Sequence, residues 1–159
     1  MLSPKLQLLV STVARLLRRR AGASLEKVLA KQRAEDVAVI MRHVTQGGWL
    51  PLLDACPDDE FRAEVLIEVD EGVAVYLVGH MTPERAVELF HLMDPDDVAD
   101  IVGELDEDLQ AEMLALLNKE HGEDVEELLA YGEETAGGIM NPVFFSLTRD
   151  TTAENAIGQ

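Results

Sequence analysis

"PERAVELFHLMD", residues 83–94, is followed at once by "PDDVADIVGELD", residues 95–106, and the two segments align without a gap. Pro83 stands over Pro95, Val87 over Ala99, Leu89-Phe90 over Ile101-Val102, Met93 over Leu105 and Asp94 over Asp106. The same twelve-residue period runs through residues 59–118 in five rows. Its seventh column is Val65, Leu77, Leu89, Ile101 and Met113, its eighth Leu66, Val78, Phe90, Val102 and Leu114, and its eleventh Val69, Met81, Met93, Leu105 and Leu117. With Ala63, Val75, Val87, Ala99 and Ala111 in the fifth column, each row carries one apolar stripe at helical spacing.

The twelfth column, Asp70, Thr82, Asp94, Asp106 and Asn118, holds short side chains that can accept from the free amides of the next helix. Pro83 and Pro95 follow two of them, at the first helical position, where the missing donor costs nothing. Each row therefore reads as one helix of roughly ten residues with its cap. Helices this short are marginal alone, so their stripes must stack on neighbours. The expected fold is all-α: a compact right-handed superhelix, an α-solenoid of short helices with a repeat of about twelve residues.

Outward from the repeat, Ser24 to Val44 predicts one or two longer helices and Gly47-Gly48 a break. Trp49 to Leu53 starts a short helix whose tryptophan anchors the core, and Gly122 to Tyr131 gives a last helix with Val125, Leu128 and Leu129 inward. Leu6, Leu9, Val10, Val13, Leu16 and Leu17 follow helical spacing and lead into Arg18-Arg19-Arg20. This amphipathic helix with a basic end either packs on the domain or touches a membrane surface or a partner. The basic run follows the apolar part, the wrong order for a secretory signal, and no apolar stretch reaches the roughly 18 residues of a membrane span.

Charge divides the chain. The net charge is −18, yet residues 1–53 hold nine Lys/Arg against three Asp/Glu, net +6, so residues 54–159, with four against twenty-eight, carry −24. A surface so acidic disfavours nucleic acid and anionic lipid and attracts cations, whether metal ions or basic proteins. Cys56, the single cysteine, permits neither an intrachain disulfide nor a thiolate zinc site and suits a reducing cytosolic setting. His43, His80, His91 and His121 show no ligand spacing and are read as packing residues. With only seven aromatics, three of them in the repeat rows, no aromatic-lined cleft for paired-carboxylate chemistry is expected, and the chain is read as no enzyme.

The acids of the sixth column, Glu64, Glu88, Asp100 and Glu112, lie beside the buried stripe, and a solvated face accounts for Glu88 and Glu112. Asp96 and Asp97 fall in a first turn, where acids interact well with the helix dipole. Asp100 lies one turn beyond Asp96, where the dipole has faded and like charges repel. A hard divalent cation bound by carboxylate oxygens would relieve that repulsion.

Beyond the repeat, Gly137-Gly138 ends helical order, Val143 to Leu147 predicts a β-strand, and Thr151-x-x-Glu154 is a capping box opening a helix. One strand and one helical turn cannot form a domain, so the chain is expected to end inside a second one. Glu134-Thr135-Ala136-Gly137-Gly138-Ile139-Met140-Asn141-Pro142 resembles the junction of the MgtE family of magnesium transporters, where ETAGG, a hydrophobic residue, M, T and P lead from the helical N domain into the first CBS domain. Asn141 departs from the usual Thr. Rows such as DPDDVADIVGEL also look like that N domain, and the likeness covers residues 55–157.

Residues 1–53 are expected to be basic helices that are part of the helical domain or docked on it; the resemblance implies 54–132 as an acidic MgtE N-type repeat domain and 133–159 as a linker and the truncated α/β start of a CBS domain. It implies a cytosolic magnesium-sensing role at the bacterial inner membrane. In that family Mg2+ bridges acidic N and CBS domains and the compact state closes the pore of a separate transmembrane domain. The implied partners are the CBS and transmembrane domains of the same full-length protein, itself a homodimer. Carried over by motif, the metal ligands are Asp96 and Asp100, with Asp97 as alternate, Glu64 from the matching acid column, and Gly138 through its carbonyl; the isolated fragment would bind Mg2+ weakly. The rival reading is a protein-interaction solenoid, such as a soluble CBS-containing regulator without a pore.

Overall fold

A computed structural model of the chain describes residues 3–117 and 119–130. The rows become helices in register. α1 spans Pro4–Arg18, α2 Gly22–Leu29 and α3 Ala34–Met41; a 3-10 turn at Gln46–Gly48 leads into α4, Trp49–Asp54. The five rows are α5 (Asp59–Glu68), α6 (Glu71–Gly79), α7 (Pro83–Phe90), α8 (Pro95–Gly103) and α9 (Glu107–Leu116), and α10 covers Lys119–Leu129. Among the described residues there is no strand, and no helix is long and apolar enough to cross a membrane. The strand expected at Val143–Leu147 and the rest of the CBS-like segment lie outside the described residues.

The caps are only partly those the twelfth column predicts. Thr82 accepts from the amide of Arg85 and Asp106 from that of Leu109, as Asp58 does from Phe61 ahead of the first row. Asp70 makes no such bond; its carboxylate instead takes the Arg42 guanidinium, with Nε 3.0 Å from Oδ2. Asp94 makes no cap bond either.

Packing alternates. α3, α5, α7 and α9 contact in sequence as one row, and α4, α6, α8 and α10 as another. A helix therefore rests chiefly on the helix two along, and two twelve-residue rows make one layer-to-layer unit of the superhelix. The whole seventh column is buried, and Phe90 and Val102 of the eighth are at 0% exposure. In the fourth column Ala74, Ala86 and Val98 are buried as well, Arg62 and Gln110 only partly, while Ala111 of the fifth column is exposed. Gly103 sits where a Cβ would come within 3.3 Å of Leu129, so a bare α-carbon lets α10 close on α8.

The N-terminal helices join this core. Ser24 to Val44 forms two eight-residue helices, α2 and α3, parted by an extended Arg33. α1 packs on both through Val13, fully buried, with Leu9, Val10, Leu16 and Leu17 around it. Trp49 donates its indole N–H to the Met41 carbonyl at 3.0 Å and meets Tyr76 edge-on with centroids 5.3 Å apart. Val125 and Leu128 of α10 are buried, and Leu129 packs half-buried beside them.

Candidate metal centre

The first turn of α8 concentrates charge because the chain has little choice there. Asp94 ends one row at the N-cap, Pro95 is locked into the first helical position and buried, and Asp96 and Asp97 complete the turn. Asp94, Asp96 and Asp97 each offer a carboxylate oxygen, and the three oxygens lie within 4.8 Å of one another. Two of the three residues are half-buried. Oδ1 of Asp96 is shut off from solvent and has no hydrogen-bond partner among the described residues. A buried oxygen without a donor costs free energy, and a carboxylate oxygen most of all.

Asp97 occupies the third position of its row, where three other rows place Phe61, Val73 and Leu109 and one places Arg85. Its carboxyl is pushed above the ordinary carboxylate range, first by burial and then by Asp96, Asp94 and Asp100. The donor set is thus three oxygens of one sign, one stripped of water and one resisting ionisation. Oxygen-only ligands suit a hard divalent cation, and magnesium, which keeps several waters, needs only a few carboxylates. The residues present fit such an ion.

The structure places the ligands expected from sequence as follows. Asp96 and Asp97 meet in this group. Asp100, exposed one turn further along α8, is not one of the three converging residues, although its charge reaches Asp97. Glu64 is exposed on α5. Gly138 lies outside the described residues. Asp94 was read from sequence as a cap alone; the signal that could have found it is the run of acids on both sides of a first-turn proline, which holds the three carboxylates on one helix start.

Several titratable groups elsewhere have structural partners. Asp59 takes guanidinium nitrogens from Arg62 and Arg85, and these hold its carboxyl down at about 2. Burial pushes the Cys56 thiol up to about 12. His43 and His80 hydrogen-bond through Nδ1 to the carbonyls of Val39 and Tyr76, one turn back on their own helices, and His80 stacks on Tyr76.

An acidic solenoid of short helices, packed alternately in two rows and bearing a carboxylate triplet at the start of one repeat, is the class of protein the fold defines. Residues 23–134 match the model of the MgtE intracellular N domain, and the chain belongs to that family. Two crystal structures share the fold. The soluble part of a magnesium transporter is 20% identical with a TM-score of 0.70, over 85% of this chain and 53% of that one. The cytosolic domain of the Mg2+ channel MgtE in complex with ATP is 23% identical with a TM-score of 0.73, over 84% of this chain and 54% of that one. The chain thus spans about half the length of these structures. A comparison with curated proteins gave no match.

Proposed function

We propose that the chain is the magnesium-sensing regulatory part of an MgtE-like magnesium transporter or channel. The observation that carries this reading is Oδ1 of Asp96, buried without a donor on a residue whose carboxylate converges with those of Asp94 and Asp97. Family membership supplies the context, and the two structural neighbours are pieces of a magnesium transporter and of a Mg2+ channel. Asp94, Asp96 and Asp97 supply carboxylate oxygens from one side, with Asp100 extending the acidic face. The other side belongs to the CBS domains of the same full-length protein, a homodimer at the cytosolic face of the bacterial inner membrane.

In this reading the mutual repulsion of acidic surfaces keeps the modules apart when the ion is scarce. Mg2+ bound between them favours the compact state and a closed pore, because the ion binds the closed form more tightly. This chain alone holds one half of the site, so it binds Mg2+ weakly, and it is assigned no catalysis. Magnesium titration followed by NMR tests the reading. Amide shifts at Asp94, Asp96 and Asp97 are expected to exceed those at Glu112 on α9; equal shifts across all four would remove the metal role.

A further inference from the structure

We propose that the solvent face of α1 docks on an anionic phospholipid surface. Two stripes run along this helix. Leu9, Val10, Val13, Leu16 and Leu17 recur at one-, three- and four-residue steps and pack on the core formed with α2 and α3. Lys5, Leu8, Thr12, Arg15 and Arg19 recur at three- and four-residue steps on the opposite face, with Lys5, Leu8, Arg15 and Arg19 exposed and Leu8 at 68%. Arg18 and Arg20 flank that stripe and are exposed too. No acid precedes Glu26, so the first 25 residues carry five cations and no anion.

None of those five cations forms an ion pair with a described residue, unlike Arg33, Arg42, Arg62 and Arg85. The packing of α1 uses only its apolar face and gives the arginines no task within the fold. The end of the helix is held at a cost besides. Arg20 has φ 52°, and Arg20 and Ala21 return amides to the Leu17 and Leu16 carbonyls, an ending that ordinarily takes glycine at Arg20's place. An arginine stands there nonetheless.

α1 also lies before residues 23–134, the part that matches the family. An anionic leaflet attracts such a stripe, and Leu8 at its centre can enter the headgroup layer. Screening limits electrostatic reach to about 10 Å, so a surface touching α1 senses the stripe ahead of the net charge of −18. The membrane's proximity rests on the reading above; binding itself is a property of this chain.

Sedimentation of the full chain with vesicles tests the inference, and it shares no readout with the magnesium titration. The chain is expected to bind vesicles of phosphatidylcholine containing roughly a third phosphatidylglycerol, to ignore pure phosphatidylcholine, and to be released by about 0.5 M salt. Arg15→Gln, Arg18→Gln and Arg19→Gln together should weaken binding about a hundredfold, at roughly fivefold each. Arg20→Gly should weaken it about fivefold while raising Tm by about 3 °C, which separates lost binding from lost folding. Equal binding to neutral vesicles, or undiminished binding by the triple variant, would overturn the proposal. So would no vesicle binding alongside salt-sensitive self-association, which would assign the stripe to a second copy, or tighter binding to duplex DNA than to vesicles.

Discussion

Asp59 of α5 and Arg85 of α7 are joined by two hydrogen bonds, with Arg85 Nη1 2.9 Å from Oδ2 and Nη2 on Oδ1. The same carboxylate takes Nη1 of Arg62 at 2.7 Å. Arg62 in turn donates to the carbonyls of Leu53 at 3.2 Å, Asp54 at 2.9 Å and Cys56 at 2.6 Å, at and just beyond the C-terminal end of α4. One line of charge-assisted bonds thus ties α4 to α5 and α5 to α7, linking the two alternating rows of helices.

The two arginines differ in what they leave behind when removed. Arg62 is 18% exposed and satisfies three carbonyls, whereas Arg85 is 37% exposed and serves only carboxylates that water can reach. Arg62→Met should cost about 2 kcal/mol, because the partly buried Cys56 carbonyl loses its charged donor. Arg85→Met should cost about 1 kcal/mol or less, as exposed pairs do. Urea unfolding of the two variants checks the ordering, and equal losses would show that Arg62 is not the closing piece of α4.

Asp59 also sets a pH dependence. Its carboxyl is held at about 2, first by the hydrogen bond from Arg85 and then by that from Arg62. The folded value lies below the ordinary one near 3.9, so the contribution is complete above about pH 4 and is lost as pH falls through about 2. The side chain is 39% exposed, and solvent screening keeps the effect to about 1 kcal/mol or less. Asp59→Asn should be less stable than the parent at pH 6, with the gap narrowing towards pH 2 in paired denaturation curves.

The helices were legible because every row repeats the same three apolar columns and a capping residue, so propensity, pattern and punctuation agree at each of Asp70, Thr82, Asp94 and Asp106. Which helix rests on which was not legible. A period of twelve fixes the face each helix buries and is silent on whether α7 lies against α6 or, as found, chiefly against α5 and α9. The carboxylates show a similar divide. Asp97 lies in a first turn, where the helix dipole by itself accounts for its charge, yet its row position is one that Phe61, Val73, Arg85 and Leu109 also half bury or bury. Column neighbours predicted its burial better than its place along the helix did. Asp100 drew notice for its distance from the dipole, but its column is the exposed one of Glu64, Glu88 and Glu112.

Cys56 provides a probe of opening. Its thiol is 2% exposed, bonded toward the Leu52 carbonyl, and burial raises it to about 12. At pH 8 the folded chain holds almost no thiolate there, and the thiolate is the reactive form. Alkylation should therefore be slow in the native state and rise in step with the unfolded fraction as urea is added. Fast labelling of the native chain would show that the turn after α4 opens far more readily than its Arg62 bonds allow.

Asp97→Asn separates charge from packing at the start of α8. Burial and the fields of Asp96, Asp94 and Asp100 raise the Asp97 carboxyl, so the folded state binds its proton more tightly than the unfolded chain does. Below the ordinary value near 3.9 both states are protonated and the charge costs nothing; as pH rises through the raised folded value, stability is lost and stays lost at neutrality. In chelator at pH 7 the asparagine variant should be more stable than the parent by a few tenths of a kcal/mol, the size of a like-charge pair on a helix, and the two should converge near pH 3. Added magnesium should then raise the unfolding midpoint of the parent more than that of the variant, because the ion offsets a repulsion that the variant has already lost. A variant less stable than the parent at neutrality would mean that Asp97 stabilises the turn as an anion, and that the three carboxylates do not strain one another in the absence of an ion.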